Sequence, residues 1–172
     1  MIFVTVGTHE QSFHRLIKKV DELKGLGTIK EDVFIQTGFT DYEPQNCQWS
    51  QLLPYQEMQR KIQEARIIIT HGGPASFIAP LQIGKIPVVV PRQYKFNEHI
   101  NNHQLEFAIQ VEKRNKNIIV IYDIDELADT ITNYDELTKK AKTIDKTNNL
   151  YFCEQFEIKV KELMGEMNDK KI

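Results

Sequence analysis

Three short stretches hold most of the residues able to do chemistry, and each mixes glycine or proline with polar side chains. They are Gly7–Gln11, His71–Ser76 and Arg92–Glu98. In the second, Gly72 and Gly73 let a backbone approach a ligand closely, and Pro74 suits the first turn of a helix. A helix starting there offers N–H groups without intrahelical partners and the positive end of its dipole. Such an arrangement cradles a phosphate or diphosphate. A tight strand-to-helix turn, with His71 capping a neighbour, is the plainer alternative.

Other motifs point elsewhere or nowhere. The chain has no G-x-G-x-x-G and no G-x-x-x-x-G-K-[ST], so nicotinamide-type and P-loop sites are not expected. No Gly-x-Ser-x-Gly elbow accompanies the His-Gly-Gly, which removes the usual α/β-hydrolase. His9-Glu10…His14 lacks the H-E-x-x-H spacing. His99 and His103, four apart on an expected helix, could hold a metal with Glu98 or Glu106, or form one polar face. Asp123-Ile-Asp125 has a form that holds a divalent ion and a nucleotide diphosphate in some metal-dependent enzymes. N-capping of the helix continuing Glu126-Leu127-Ala128 explains the same two carboxylates.

The elements that must position these loops alternate between strand and helix. Ile2–Val6 is a continuous β-branched and apolar run, as in a strand buried on both faces of a parallel sheet. Phe13, Leu16, Ile17, Val20 and Leu23 follow at helical spacing, closed by Gly25 and Gly27. Further strands are expected at Val33–Gln36, Trp49–Leu53, Arg66–Thr70, Pro87–Val90 and Ile118–Tyr122. Helices are expected around Met58–Ala65, from Pro74 to Gly84, from Asn97 to Lys113, and through the tail from Leu127 onward. The pattern predicts an α/β fold: a Rossmann-like parallel sheet with helices on both faces and a helical C-terminal tail over 134–172. In such sheets ligands sit beyond the carboxyl ends of the strands, where all three loops fall.

Length and composition fit one domain over residues 1–172, and 41% hydrophobic with 27% charged residues is an ordinary globular balance. A net charge of −2 gives no reason to expect a nucleic-acid partner. Cys47 and Cys153 offer neither a disulfide framework nor a CxxC pair, which suits a reducing compartment. The apolar N-terminal run is six residues long and has no basic flank, and no later run approaches the ~20 residues that span a bilayer. A cytoplasmic chain is expected, held at a membrane only by something else.

Taken in order, the segments resemble a known family. Thr70-His71-Gly72-Gly73-Pro74-x-Ser76, Leu81-x-x-Gly84-Lys85-x-Pro87-Val88-Val89-Val90-Pro91-Arg92 and Phe96-x-Glu98-His99-x-x-x-His103-Gln104-x-Glu106 resemble the nucleotide-sugar-binding domain of glycosyltransferase family 28. Val4-Thr5-Val6-Gly7-Thr8-His9-Glu10-x-x-Phe13-x-x-Leu16 is similar to the start of the family's small catalytic subunits. Those subunits work in two-protein enzymes that extend lipid-linked sugars. The resemblance runs from residue 1 to about 132.

It implies one half of a GT-B fold, the donor half. The other half would be a membrane-associated, acceptor-binding partner subunit, so this chain would lie at the inner face of the membrane through that partner. The donor would be a UDP-sugar and the acceptor a lipid-linked glycan, with no metal and no other cofactor. By position, Gly7, Thr8, Gly72, Gly73 and Ser76 would supply donors to the UDP leaving group, where preorganised N–H groups stabilise growing negative charge. His71 and Arg92 belong to the same donor-binding set, and Gln93, Glu98 and His99 match the segment that holds the donor sugar's hydroxyls. Gln104 and Asn102 are next candidates. Inversion needs a base for the acceptor hydroxyl, and His9 and Glu10 are the local candidates. His9 could instead orient a phosphate while the partner supplies the base. Galactose, added β-1,4 to a glucosyl residue in capsule or exopolysaccharide synthesis, is the preferred sugar, with N-acetylglucosamine second. A non-catalytic nucleotide-sugar-binding subunit is the competing reading. The family's peptidoglycan enzyme holds the ribose with a glutamate where this chain has Ala79 or Pro80, so ribose recognition must differ.

Overall fold

The structure, a computed structural model, describes residues 1–140. In chain order the elements are β1 (Ile2–Thr5), α1 (His14–Gly25), β2 (Val33–Gln36), β3 (Gln48–Ser50), α2 (Tyr55–Glu64), β4 (Ile67–His71) and α3 (Pro74–Gln82). Then come β5 (Val88–Val90), a 3₁₀ turn at Tyr94–Phe96, α4 (His103–Asn115), β6 (Ile119–Val120), α5 (Leu127–Thr132) and α6 (Tyr134–Lys140).

Among the described residues all the strand pairs are parallel, and their order is β3-β2-β1-β4-β5-β6. Strand residues alternate between two cores, as a period of two requires. On one face Ile2, Val4, Ile67, Ile69, Val88 and Val90 pack with Phe13, Leu16, Ile17 and Val20 of α1 and its approach, and with Leu127 and Ile131 of α5. On the other, Phe3 and Ile68 pack with Ile62 of α2, while Val89 and Val120 pack with Phe77 and Leu81 of α3 and Ala108 of α4. Each such buried side chain contributes on the order of 1.5–3 kcal/mol, which is what holds the loops' strand ends in register. The expected Rossmann-like sheet with helices on both faces is therefore present.

Several boundaries differ from the sequence reading, each for a local reason. The third strand is Gln48–Ser50 rather than Trp49–Leu53, because Pro54 and the Ser50 hydroxyl, which donates to Leu52 O at 2.8 Å, turn the chain into α2. Strand β6 is shorter than Ile118–Tyr122, and α3 stops at Gln82 before Gly84, whose φ is +77°. The helix expected from Asn97 begins only at His103: Asn97 is left-handed (φ +57°), and Asn101 Oδ1 accepts from His103 N–H at 3.1 Å. Among the described residues no helix is long and apolar enough to cross a membrane. The tail is helical over α6, and Phe152, Phe156, Val160, Leu163 and Cys153 lie outside the described residues.

Candidate functional site: a glycine turn at the sheet's switch point

After β1 the chain turns to α1 on one face, and after the adjacent β4 it turns to α3 on the other. Neighbouring strands whose exits diverge leave a crevice at their carboxyl ends, and this is where open α/β sheets bind ligands. The crevice continues into a cleft of about 390 Å³ between α2 and α3. Thr5, Gly7 and Thr8 line it from the β1 loop, His71, Gly73 and Ser76 from the β4 loop, and Tyr55, Met58, Gln59 and Ala79 from the two helices.

The glycines are required by close approach. A Cβ at Gly7 or at Gly73 would lie 2.5 Å from the His71 ring, and Gly7 also has φ +73°. A Cβ at Gly72 would lie 2.9 Å from Gln104 Cβ. His71 thus sits wedged between the two loops, with Nδ1 buried and unpartnered. Burial and the nearby Arg92 charge push it down to about 4, so it is neutral at physiological pH. Pro74 opens α3 with no N–H, Ser76 N–H folds back to Gly73 O at 3.1 Å, and Ala75 N–H has no intrahelical acceptor. The Ser76 hydroxyl donates to Gly73 O at 2.7 Å, which fixes the turn from within.

Beneath the crevice lies buried charge. Arg92, 1% exposed, donates through Nη1 to Gln11 O (2.7 Å) and Glu98 O (3.1 Å), and through Nη2 to Val6 O (3.1 Å). Burial pulls it down to about 10, against the opposing pull of Glu98, so it keeps its proton at neutral pH. Glu98, 3% exposed, is gripped by Arg15 Nε at 2.8 Å and Nη2 at 2.9 Å, and accepts from Gln93 N–H at 3.1 Å. Arg15 takes the Glu98 carboxylate, whereas Arg92 donates only to main-chain carbonyls, Glu98's among them, which leaves a positive charge under the loops. Gln93 is also buried and donates to Tyr122 O at 3.3 Å, and Gln104 Oε1 accepts from Arg92 N–H at 3.3 Å. Arg92, Gln93, Glu98 and Gln104 are therefore brought together as the frame of the loop, and His99 of the same loop packs on His9.

His9 and His99 stack with ring centroids 4.9 Å apart. His9 Nδ1 accepts from Gln11 N–H at 3.1 Å, and His99 Nδ1 accepts from Asn101 N–H at 3.4 Å. In the neutral rings the hydrogen is therefore on Nε2, which makes each a donor there. Burial, Arg92 and His99 lower His9 below its ordinary value, against a smaller upward pull from Glu10. Glu10 itself is exposed.

The metal-type candidates are not assembled. His99 lies in the loop and His103 at the start of α4, so they do not share a helix face. Asp123 caps the next turn by accepting from Asp125 N–H at 3.1 Å, and Asp125 pairs with Lys19. Among the described residues no group of three His, Cys, Asp or Glu stands close enough to hold an ion.

The sequence reading assigns no role to three residues that hold the site in place. Arg15 had no signal, being one basic residue in an amphipathic helix. Gln36, 1% exposed, donates to Gly7 O at 3.0 Å and accepts from Thr5 Oγ1 at 2.6 Å, holding the first loop. A glutamine closing an otherwise apolar strand was the cue. Lys85 donates to Ile62 O at 2.9 Å and Ala65 O at 2.6 Å, and so ties down the end of α2.

UDP-N-acetylglucosamine transferase subunit ALG13 of Homo sapiens is 35% identical over 122 residues, which cover 65% of this chain and 10% of that protein. The chain thus spans a tenth of that relative's length. MurG of Acinetobacter baumannii is similar in structure, at 14% identity and TM-score 0.49, with 88% of this chain covering 49% of that one. The glycosyltransferase SnogD of Streptomyces nogalater is similar at 16% identity and TM-score 0.45, with 80% of this chain covering 37% of that one. The model of the glycosyltransferase family 28 C-terminal domain matches residues 1–164, taking in every strand and all three loops and reaching past the point near 132 where the motifs stop. The chain belongs to that family.

Proposed function

We propose that this chain is the donor-binding subunit of an inverting, UDP-sugar-dependent glycosyltransferase. The observation that carries the reading is the cleft at the switch point, open to the N-terminus of α3 and underlain by the buried Arg92 guanidinium. The nucleoside lies in the part of the cleft lined by Tyr55, Met58, Gln59 and Ala79, and Gln59 is the polar group that can replace the absent glutamate on the ribose. The diphosphate lies over Gly7, Thr8, Gly72 and Gly73, where main-chain donors and the helix dipole meet it without a metal.

In the reaction an acceptor hydroxyl attacks the anomeric carbon, its proton passes to a base, and the bond to UDP breaks with the electron pair leaving on the phosphate. The positive field from α3 and the buried arginines favours that leaving charge. His9, whose Nδ1 already accepts a hydrogen bond, serves best as an Nε2 donor to the diphosphate or the sugar. Glu10, exposed beside it, is then the base from this chain unless the partner supplies one.

UDP-N-acetylglucosamine is the first donor to test, since the ALG13 relative carries that sugar in its name. UDP-galactose rests on the resemblance of the His-Gly-Gly-Pro and Pro-Arg-Gln segments alone. The same relative is named as a subunit, which supports a separate partner that binds the lipid-linked acceptor and holds this chain at the membrane. A donor domain by itself leaves the acceptor unpositioned and forfeits most of the proximity effect. The test is a transfer assay with a short-chain lipid-linked acceptor in EDTA, for both donors. Little or no transfer by the pure chain and robust transfer with the membrane-bound partner is expected. Full turnover by the pure chain would refute the split arrangement.

A further inference from the structure

On the other side of the glycine turn, between the start of α3 and α4, lies a second cleft of about 380 Å³. Gly72 and Pro74 form its inner edge, so it adjoins the crevice without being part of the α2–α3 cleft. His103, Glu106, Phe107 and Gln110 form its wall, spaced three and four residues apart on one face of α4. Gln104, a donor-sugar candidate, lines the cleft as well, but none of those four wall residues was placed on the nucleotide.

Its chemistry is selective. The lining has no lysine or arginine, and the Glu106 carboxylate would repel a phosphate, so this is not a second anion site. Three polar side chains in the wall make it a poor bed for an acyl chain. What it does hold is an aromatic platform with planar polar groups around it. Phe107 is 40% exposed, and its ring is backed by the buried Phe77 ring, centroids 5.9 Å apart. An exposed phenyl held from behind keeps its orientation at little entropic cost. The apolar face of a pyranose presents weakly positive C–H groups, which suit the negative face of such a ring. Its rim presents vicinal hydroxyls, for which a carboxylate, an imidazole and an amide are fitting partners. The size also lies in the range of small-molecule sites, roughly 300–1,000 Å³.

We infer that the α3–α4 cleft is a pyranose subsite with Phe107 as its platform and Glu106, His103 and Gln110 as its hydroxyl contacts. Two sources could fill it, the hexose of the donor itself or a sugar of a separate glycan. The inference extends the donor-binding reading but is tested independently of it. Backbone amide shifts of the full chain are followed by NMR while N-acetylglucosamine, methyl β-glucoside or methyl β-galactoside is titrated into it, and separately while UDP and the two UDP-sugars are titrated. Free saccharide moving the amides of Glu106, Phe107 and Gln110 identifies a glycan subsite. Movement there with a UDP-sugar, but neither with UDP nor with free saccharide, identifies the donor's own hexose. In either case Phe107→Ala is expected to weaken the effect about tenfold or more, and Gln110→Ala several-fold. Both variants should bind UDP like the parent chain. Failure of every sugar to move those amides overturns the inference, and so does unchanged saccharide binding in Phe107→Ala and Gln110→Ala. UDP binding with no movement of those amides by free saccharide or by UDP-sugar sinks this inference alone, whereas saccharide binding without UDP binding sinks the donor-site reading alone.

Discussion

A single methyl group at position 73 would lie 2.5 Å from His71 Nε2, a ring that Gly7 approaches as closely from the first loop. Gly73→Ala should therefore displace the His71 ring and the turn, with UDP affinity falling about tenfold or more while the circular dichroism stays native. Gly73→Asp adds a carboxylate at the proposed diphosphate site and should abolish binding. Parent-like UDP affinity in Gly73→Ala would show that the cradle is elsewhere. His71 also carries a pH dependence. Its folded value of about 4 lies below the ordinary 6.5, so between those limits the unfolded chain binds a proton that the folded chain refuses. Stability should then fall as pH drops from 6.5 toward 4, by about 3 kcal/mol in total. Urea titrations across that window should show the fall in the parent chain, and His71→Gln should flatten it. An unchanged slope in the variant would mean that another group titrates. At this scale His71, Gly72, Gly73 and Ser76 were legible, because two glycines before a helix-starting proline have few other uses. The wedge of His71 between Gly7 and Gly73 was not, since it joins residues more than sixty positions apart.

At the scale of elements, the decisive tie is between α1 and the loop after β5. Arg15 grips both oxygens of Glu98, and its Nη2 also donates to Pro91 O at 3.1 Å. Arg15→Met strands a buried carboxylate and should cost about 3–5 kcal/mol, as should Glu98→Met for the converse reason. The double substitution should cost clearly less than the sum of the two. Additive costs in urea unfolding would show that the pair is not coupled. This tie is also why the segment from Asn97 was misread as helix. Its apolar spacing allows a helix, but Glu98 must reach Arg15 and Gln93 N–H inside the protein, and that pulls residues 97–102 into turns. A glutamate on a presumed helix face reads as solvated until its partner, 83 positions away, is known. Strand starts were easier, because β1, β2, β4 and β5 are runs of apolar residues too short for buried helices.

At the scale of the whole molecule, alternating strands and helices pointed to a parallel sheet, whereas the order β3-β2-β1-β4-β5-β6 is not written in any local pattern. That order creates the switch point, and the switch point places the loops after β1, β4 and β5 around one crevice. In the function proposed above, this crevice takes a uridine diphosphate without a metal. Calorimetric titration of UDP into the pure chain in EDTA tests it most directly, with Gly73→Asp as the control. One-to-one binding by the parent chain, absent in the variant, is the expected result. No binding at millimolar UDP, or binding that appears only when manganese is added, would contradict it.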